Sequence, residues 1–306
     1  MKKVSIITVN FNQPQMTEAL LSSIAAVNTY PNIEIIVVDN GSLVNPVPGW
    51  EAQYPHVKFI RSNDNLGFAG GNNLGIRAAT GDYFFLVNND TEFTPELVSL
   101  LTGTLDQDTG IGIVSPKIHY FDQPGIIQYA GFTHMNYFTI RNNCIGQHEQ
   151  DNGQYDQSSG PTGFAHGAAM MLPREVVKKA GAMAENFFLY YEEMDWCEMI
   201  KRAGYSIWVN TNALIYHKES VSVGKNSKLK EYFMNRNRIL FSRRNAGLFQ
   251  QLVFLIYFTA VVVPRNILSY IRSKQRGFTS VLLRAVWWNM THAVDSDELG
   301  FDLKSK

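Results

Sequence analysis

Cysteine is nearly absent. Cys144 and Cys197 are the only two in 306 residues, and their separation fits neither a zinc-ligand pair nor a disulfide framework. A metal-stapled or disulfide-stapled scaffold is therefore excluded, and a reducing cytosol is the expected setting. Long apolar runs are also missing. Residues 252–263 form 12 residues without a charge, closed by Pro264-Arg265, against the roughly 20 apolar residues that a membrane span requires. That segment is left as a core, re-entrant or interfacial helix. The opening Met1-Lys2-Lys3 leads into a short apolar run, 4–9, and then Asn10-Phe11-Asn12, so it reads as a first strand and not as a signal peptide. No internal repeat, low-complexity segment or nucleic-acid-binding motif is visible.

What is present suits a large α/β domain with an appendage: 45% hydrophobic residues, 18% charged. The net charge of zero conceals a split. Residues 1–217 carry 12 Lys/Arg against 21 Asp/Glu, a net −9, whereas residues 218–306 carry 15 against 6, a net +9. An acidic body with a basic, apolar tail points to an anionic membrane surface as a partner, not to nucleic acid. Apolar runs at 4–9, 33–38, 57–61 and 83–88 alternate with helical spacing at 16–25 and 72–80, which predicts βαβ units and a parallel sheet. A further helix is expected over 95–106, with Thr94 as N-cap. Residues 117–167 are polar and weakly periodic, as loops over a sheet are. Regular structure is expected again at 168–172, 173–180, 192–203, 205–209 and 213–217. In the tail, 228–245 reads as a basic helix, and 267–290 mixes Trp and aliphatics with arginines as headgroup-layer helices do.

The densest signal is Asn65 to Asp90, a glycine-rich turn, a short helix and an apolar strand ending on a carboxylate between amides. Acids also follow the strands at Asp39 and precede a helix at Glu192 and Glu193, and His217 closes the run 213–217. Parallel strands open their carboxyl ends on one edge, where phosphate-bearing ligands and their cations bind. These groups are therefore expected to converge.

Six segments in order resemble the motif set of family-2 inverting glycosyltransferases, in particular the bacterial rhamnosyltransferase-like branch. They are Val4-Ser-Ile-Ile-Thr-Val-Asn10, Ile36-Val-Val-Asp-Asn-Gly-Ser42, Asn65-Leu-Gly67 with Gly71-Asn-Asn-Leu-Gly75, Val87-Asn-Asn-Asp-Thr91, Phe187-Phe-Leu-Tyr-Tyr-Glu-Glu-Met-Asp195 and Ala213-Leu-Ile-Tyr-His217. The resemblance spans about residues 4–245. It implies a GT-A type nucleotide-diphospho-sugar transferase: a mostly parallel Rossmann-like sheet flanked by helices, with a C-terminal helical tail. It also implies that Asp39 recognises the donor's base, with Thr8, Asn10, Asn40 and Ser42 around it. Asp90 takes the place of the principal ligand of Mg²⁺ or Mn²⁺, beside Asn89 in an Asn88-Asn-Asp form of the metal motif, and His217 completes the shell. Glu193 falls where the general base stands, with Glu192 as the alternative base or as a neighbour shaping it, together with Asp195. The helix start is expected to hold this base ionised. Gly71, Asn73 and Arg77 are candidates for phosphate or ribose, Arg236 for the diphosphate, and His166 and Gly167 for the acceptor sugar.

Each residue also has a plainer reading. Asp39-Asn-Gly-Ser forms Asx-turns, acids favour helix N-termini, lone strand-end histidines are usually structural, and Arg236 sits in what can equally be a solvated or lipid-facing helix. Residues 1–116 are expected to bind the nucleotide, 117–217 the acceptor, and 218–306 to associate with the inner face of the cell membrane. A nucleotidyltransferase of similar fold and a non-catalytic saccharide-binding protein are the other readings.

Overall fold

The structure is a computed structural model that describes residues 1–218 and 227–303. Runs of β-branched and aromatic residues make the first strands, β1 (Val4–Asn10), β2 (Ile33–Asn40), β3 (Val57–Ser62) and β4 (Tyr83–Val87). Helices α1 (Pro14–Val27), α2 (Val47–Gln53) and α3 (Gly67–Ala78) connect them. Alternate residues face opposite sides of the sheet. Ile7, Ile36, Val38, Phe84 and Leu86 point to one core layer, and Val4, Ile6, Ile35, Val37 and Phe85 to the other. Burial on both faces is why these strands read as continuous apolar runs.

Next come β5 (Thr91–Glu92), α4 (Leu97–Gln107), β6 (Ile111–Tyr120), β7 (Ile127–Tyr129), β8 (Gly160–Pro161), β9 (Ala169–Pro173), α5 (Arg174–Ala180), α6 (Glu192–Arg202) and β10 (Ser206–His217). The sheet order is β3-β2-β1-β4-β9-β6-β10-β5. The chain thus returns across β1 after β3, and this reversal of strand order opens a ligand crevice beyond the carboxyl ends of β1 and β4. The β1–β2, β2–β3, β1–β4 and β6–β10 pairs are parallel. Within this mostly parallel sheet β9 runs antiparallel between β4 and β6, and the short β5, β7 and β8 also pair antiparallel.

Smaller corrections concern boundaries. α3 starts at Gly67, taking the glycines into the helix. α4 starts at Leu97 with Glu96 as N-cap, and Thr94, expected in that role, donates its hydroxyl to Leu214 O at 2.6 Å. Segments 205–209 and 213–217 are one strand, bulged between Asn210 and Leu214.

The tail helices are α7 (Lys228–Asn245), α8 (Leu248–Arg272) and α9 (Gly277–Thr291). They share the sheet's core, since Leu240, Phe241, Phe254 and Trp288 pack with Trp196 and Ile200 of α6. Pro264 does not end α8. A π-helical turn at Phe258–Val262 loosens the backbone immediately before it, and Pro264 lies in the first turn of the resumed α-helix, where its missing N–H costs little. α8 is therefore 25 residues long and apolar enough to cross a membrane, although only 17% of its apolar window is buried inside the protein.

Candidate active site

Strand register sets the donor edge. Asn10 lies opposite Asp39 at the ends of β1 and β2, and Asp39 lies opposite Arg61 on β3. Asn10 Nδ2 donates to Asp39 Oδ1 at 2.8 Å, the Ser42 hydroxyl donates to the same oxygen, and Arg61 pairs with the other. Asp39 is fully enclosed, while the Arg61 side chain is 29% exposed. Asn10, Ser42 and Arg61 thus cover the Asp39 carboxylate. From Asn10 the network continues: Thr17 Oγ1 donates to Asn10 Oδ1 at 3.1 Å and Asn89 Nδ2 to Thr17 Oγ1 at 3.1 Å. Asn89 precedes Asp90, so one hydrogen-bonded chain ties the two strand-end acids together.

The pairing of Thr91 on β5 with His217 on β10 brings Asp90 to the histidine. His217 Nε2 lies 3.1 Å from an Asp90 carboxylate oxygen, both groups nearly buried. Gln128 Oε1 is 2.8 Å from His217 Nδ1. With that oxygen as acceptor, Nδ1 carries the proton and Nε2 keeps its lone pair, the tautomer that a metal-bound imidazole needs. Two ligands at adjacent positions of an octahedral ion with bonds of about 2.1 Å lie about 3 Å apart, so carboxylate and imidazole fit a divalent cation. A nitrogen donor in the pair suits Mn²⁺. Among the described residues no group of three or more His, Cys, Asp or Glu side chains placed to hold a metal ion occurs.

The segment before β9 links this pair to the acids of α6. The His166 ring stands edge-on to that of His217 with centroids 6.2 Å apart, and its Nδ1 accepts from Ala168 N–H. Burial, with repulsion from His217, lowers the His166 pKa to about 3, so it is neutral. A Cβ on the next residue, Gly167, would lie 3.6 Å from Glu193 Cγ, which places Glu193 against this loop.

Burial raises the pKa of both α6 glutamates, Glu192 further because the Glu193 charge adds to it. Backbone N–H groups of Glu193 and Met194 pull Glu193 part of the way back. The expectation of a helix start holding the base at low pKa is overturned, because desolvation outweighs the helix amides. The pair is instead split. Glu192, with Oε2 buried and unpartnered, is pushed further toward its protonated form than Glu193.

Tail residues hold this acid-bearing turn. Phe188, Tyr190 and Tyr191 have positive φ of 65°, 71° and 74°, which costs each non-glycine residue about 1–3 kcal/mol. Asn237 Nδ2 is within 2.8 Å of the carbonyls of Phe187, Leu189 and Tyr190, and Arg236 donates to Asn186 O. Gly67 meets the turn from the other side: a Cβ there would lie 2.2 Å from Phe188 O. Asp195 is enclosed and takes Arg244 in two hydrogen bonds of 2.9 and 3.0 Å, with Asn245 at 2.7 Å. It ties α6 to the end of α7.

Several expected ligand contacts are otherwise engaged. Arg236 is fully buried over the Trp288 ring, 3.8 Å from its centroid. The Asn73 amide is taken up by Met183 and Glu185, and Arg77 faces Glu185 at 3.6 Å. Asn40 clamps Asn65, Leu66 and Gly67. Gly71 permits α3 to approach Val9, where a Cβ would meet Cγ1 at 2.8 Å. Thr8 is fully buried within β1.

The sequence profile of glycosyl transferase family 2 matches residues 5–181, more than half of the chain, from β1 through the Asp90 motif to the end of α5. The chain belongs to glycosyl transferase family 2. Among curated relatives, it is 28% identical over 266 residues to the low-salt glycan biosynthesis hexosyltransferase Agl10 of Haloferax volcanii, covering 85% of this chain and 81% of that one. It is 22% identical over 234 residues to the N-acetylglucosaminyl-diphospho-decaprenol L-rhamnosyltransferase of Mycobacterium tuberculosis, covering 70% and 75%. Its fold is that of S. aureus TarS residues 1–349, with a TM-score of 0.58 at 14% identity over 94% of this chain and 81% of that one. It is likewise that of the mannosyltransferase PcManGT from Pyrobaculum calidifontis, solved with GDP-Man and Mn²⁺, with a TM-score of 0.57 at 13% identity over 95% and 87%. The GT-A-like sheet of this family-2 glycosyltransferase is thus shared with enzymes of low sequence identity.

Two site residues escape a reading of the sequence. Arg61 was legible in principle, as the register partner of Asp39 on a parallel strand. Gln128, which orients His217, lies in the irregular segment 117–167 and has no local signature.

Proposed function

We propose that this family-2 glycosyltransferase is inverting and metal-dependent. In this reading it moves a hexose from a nucleotide diphosphate to a hydroxyl of a saccharide or lipid-linked saccharide in surface polysaccharide synthesis. Rhamnose from dTDP-rhamnose is the donor the branch resemblance favours, and the printed name of the mycobacterial relative supports it. The observation that carries the reading is the Asp90–His217 pair, on the edge that bears Asp39 and, across Gly167, Glu193.

Asp90 and His217 would hold the cation, as the Mn²⁺ in the PcManGT structure makes plausible for this fold. A divalent ion there supplies Lewis-acid neutralisation of the departing diphosphate. The residues of the chain do the rest. Asp39, through Arg61 and Ser42, orients the nucleotide base. Glu193 takes the proton of the acceptor hydroxyl as its oxygen bonds to the anomeric carbon, and the bond from that carbon to the diphosphate oxygen breaks on the opposite face. Glu192, protonated, leaves Glu193 as the single negative charge of the pair. Residues 1–116 supply the donor side and 117–217 the acceptor side, while 218–306 hold the acid-bearing turn and meet the inner face of the cell membrane, where lipid-linked acceptors reside.

A panel of nucleotide-diphospho-hexoses that includes dTDP-rhamnose, offered with membrane extract with and without EDTA, tests this. Transfer from one donor that stops under chelation and returns with Mn²⁺ is expected. Equal rates in EDTA would contradict the role given to Asp90 and His217.

A further inference from the structure

Large apolar side chains are buried through most of this protein, but not on the outer side of the tail. Leu252, Ile256 and Val261 of α8 are 58%, 59% and 50% exposed, and Trp287 and Met290 of α9 are 62% and 73% exposed. The two surfaces are one: Leu255 and Thr259 of α8 and Met290 of α9 line a common groove of about 220 Å³, with Arg243 of α7 in its wall. Resting on the membrane part of the proposed function, we infer that this side is a docking face for an anionic lipid bilayer, with α8 lying in the plane of the surface and not across it.

Orientation follows from what α8 buries. Phe254, Phe258, Val262 and Tyr270 form a stripe along nearly its whole length, packed into the core that includes the sheet. A perpendicular span would drag that core and its charged surroundings into hydrocarbon, where polar backbone and side chains lose their water. A helix with one side committed to a soluble body and the other apolar belongs at the headgroup boundary. Charge identifies the occupant. Arg265, Arg272, Lys274, Arg276 and Arg284 are exposed along the same two helices and the turn between them. A second copy docking by this face would set like charges against each other, because a two-fold interface brings the same patch together. Anionic lipid complements them, each cation near such a surface contributing about 1 kcal/mol.

The face also adjoins the acceptor side. Phe249, at the start of α8, meets Phe138 with ring centroids 6.1 Å apart, and the neighbouring Tyr137 stacks on Phe241 at 6.4 Å. Phe241 in turn contacts Tyr191 at 5.7 Å, the residue before Glu192. Aromatic side chains thus connect the apolar face with the start of the acid-bearing helix.

Co-sedimentation of the full chain with phosphatidylcholine vesicles, with and without about 30% phosphatidylglycerol, tests the inference. The protein is expected to pellet with the anionic vesicles, to ignore the neutral ones and to be released by high salt. L252E/I256E should lower partitioning at least about tenfold, and R265Q/R272Q roughly thirtyfold, the latter at about 1 kcal/mol per arginine. Both variants should keep wild-type circular dichroism, melting temperature and transfer to a water-soluble acceptor. Absence of binding to anionic vesicles overturns the inference, as does a dimer in light scattering that L252E/I256E dissolves. Resistance of the bilayer-bound protein to alkaline carbonate overturns the in-plane orientation. Loss of vesicle binding with soluble-acceptor transfer intact leaves the glycosyltransferase reading standing, so the two fail separately.

Discussion

The protein holds its two sets of acids in different ways. Asp39 and Asp90 are placed by backbone register: Asn10 opposite Asp39, and Thr91 opposite His217. Glu192, Glu193 and Asp195 follow a strained turn that is held by side chains from α7, among them Asn237, Arg244 and Asn245. A sheet ladder is insensitive to most single side-chain changes, whereas a side-chain clamp is lost with one substitution. Donor and cation binding should therefore be separable from proton transfer, and the tail should affect only the latter.

Substitutions test that separation. Asp90→Ala should have the largest effect, lowering kcat/KM by about a thousandfold, as loss of several kcal/mol of charge stabilisation implies, with the melting temperature retained. Glu193→Gln should lower kcat by about 10²–10⁴-fold and leave the donor KM unchanged. The wild-type pH profile of kcat should rise with pH, with a midpoint above the ordinary glutamate range, since burial raises the pKa of the base. That rising limb should be missing from the residual activity of Glu193→Gln. Asp195→Asn leaves the Arg244 guanidinium without its charge partner, and should cost about 3 kcal/mol of stability by denaturant unfolding. It should also lower kcat with little change in donor KM; a matching rise in KM would dissolve the distinction between the two regions. Glu192→Gln should have the opposite sign. A carboxyl whose pKa is raised by folding opposes the folded state as pH climbs from its unfolded pKa to its folded one. The variant should thus melt higher than wild type at pH 8 and no higher at pH 4, read by calorimetry.

The same contrast explains what could be read from the sequence. β1, β2 and β4 are legible because burial on both faces leaves uninterrupted apolar runs, and Asp39 and Asp90 stand out as the polar residues that end them. β6 is disguised. Pro116 sits within it, at its pairing with Asn210 beside the bulge, and Lys117 and His119 are buried there with Asp151, so its polarity suggests a loop. The antiparallel direction of β9 has no signature in periodicity. Pro264 suggests a helix end because a preceding π-turn cannot be read from composition. Arg236 and Asn237 bond to a turn 50 residues earlier, a pairing that only the folded chain shows. The glutamates' ionisation depends on burial, which motif position does not reveal.

The most direct test is calorimetric titration of the donor's nucleoside diphosphate into wild type, Asp90→Ala and Glu193→Gln, each with Mn²⁺ and with EDTA, alongside turnover of the matching sugar nucleotide. Binding should require the ion in wild type and in Glu193→Gln, and should lose its ion dependence in Asp90→Ala, with Glu193→Gln binding normally yet failing to transfer. Ion-independent binding in wild type, or wild-type turnover by Glu193→Gln, would contradict the proposed division between a cation held by the sheet edge and a base held by the tail.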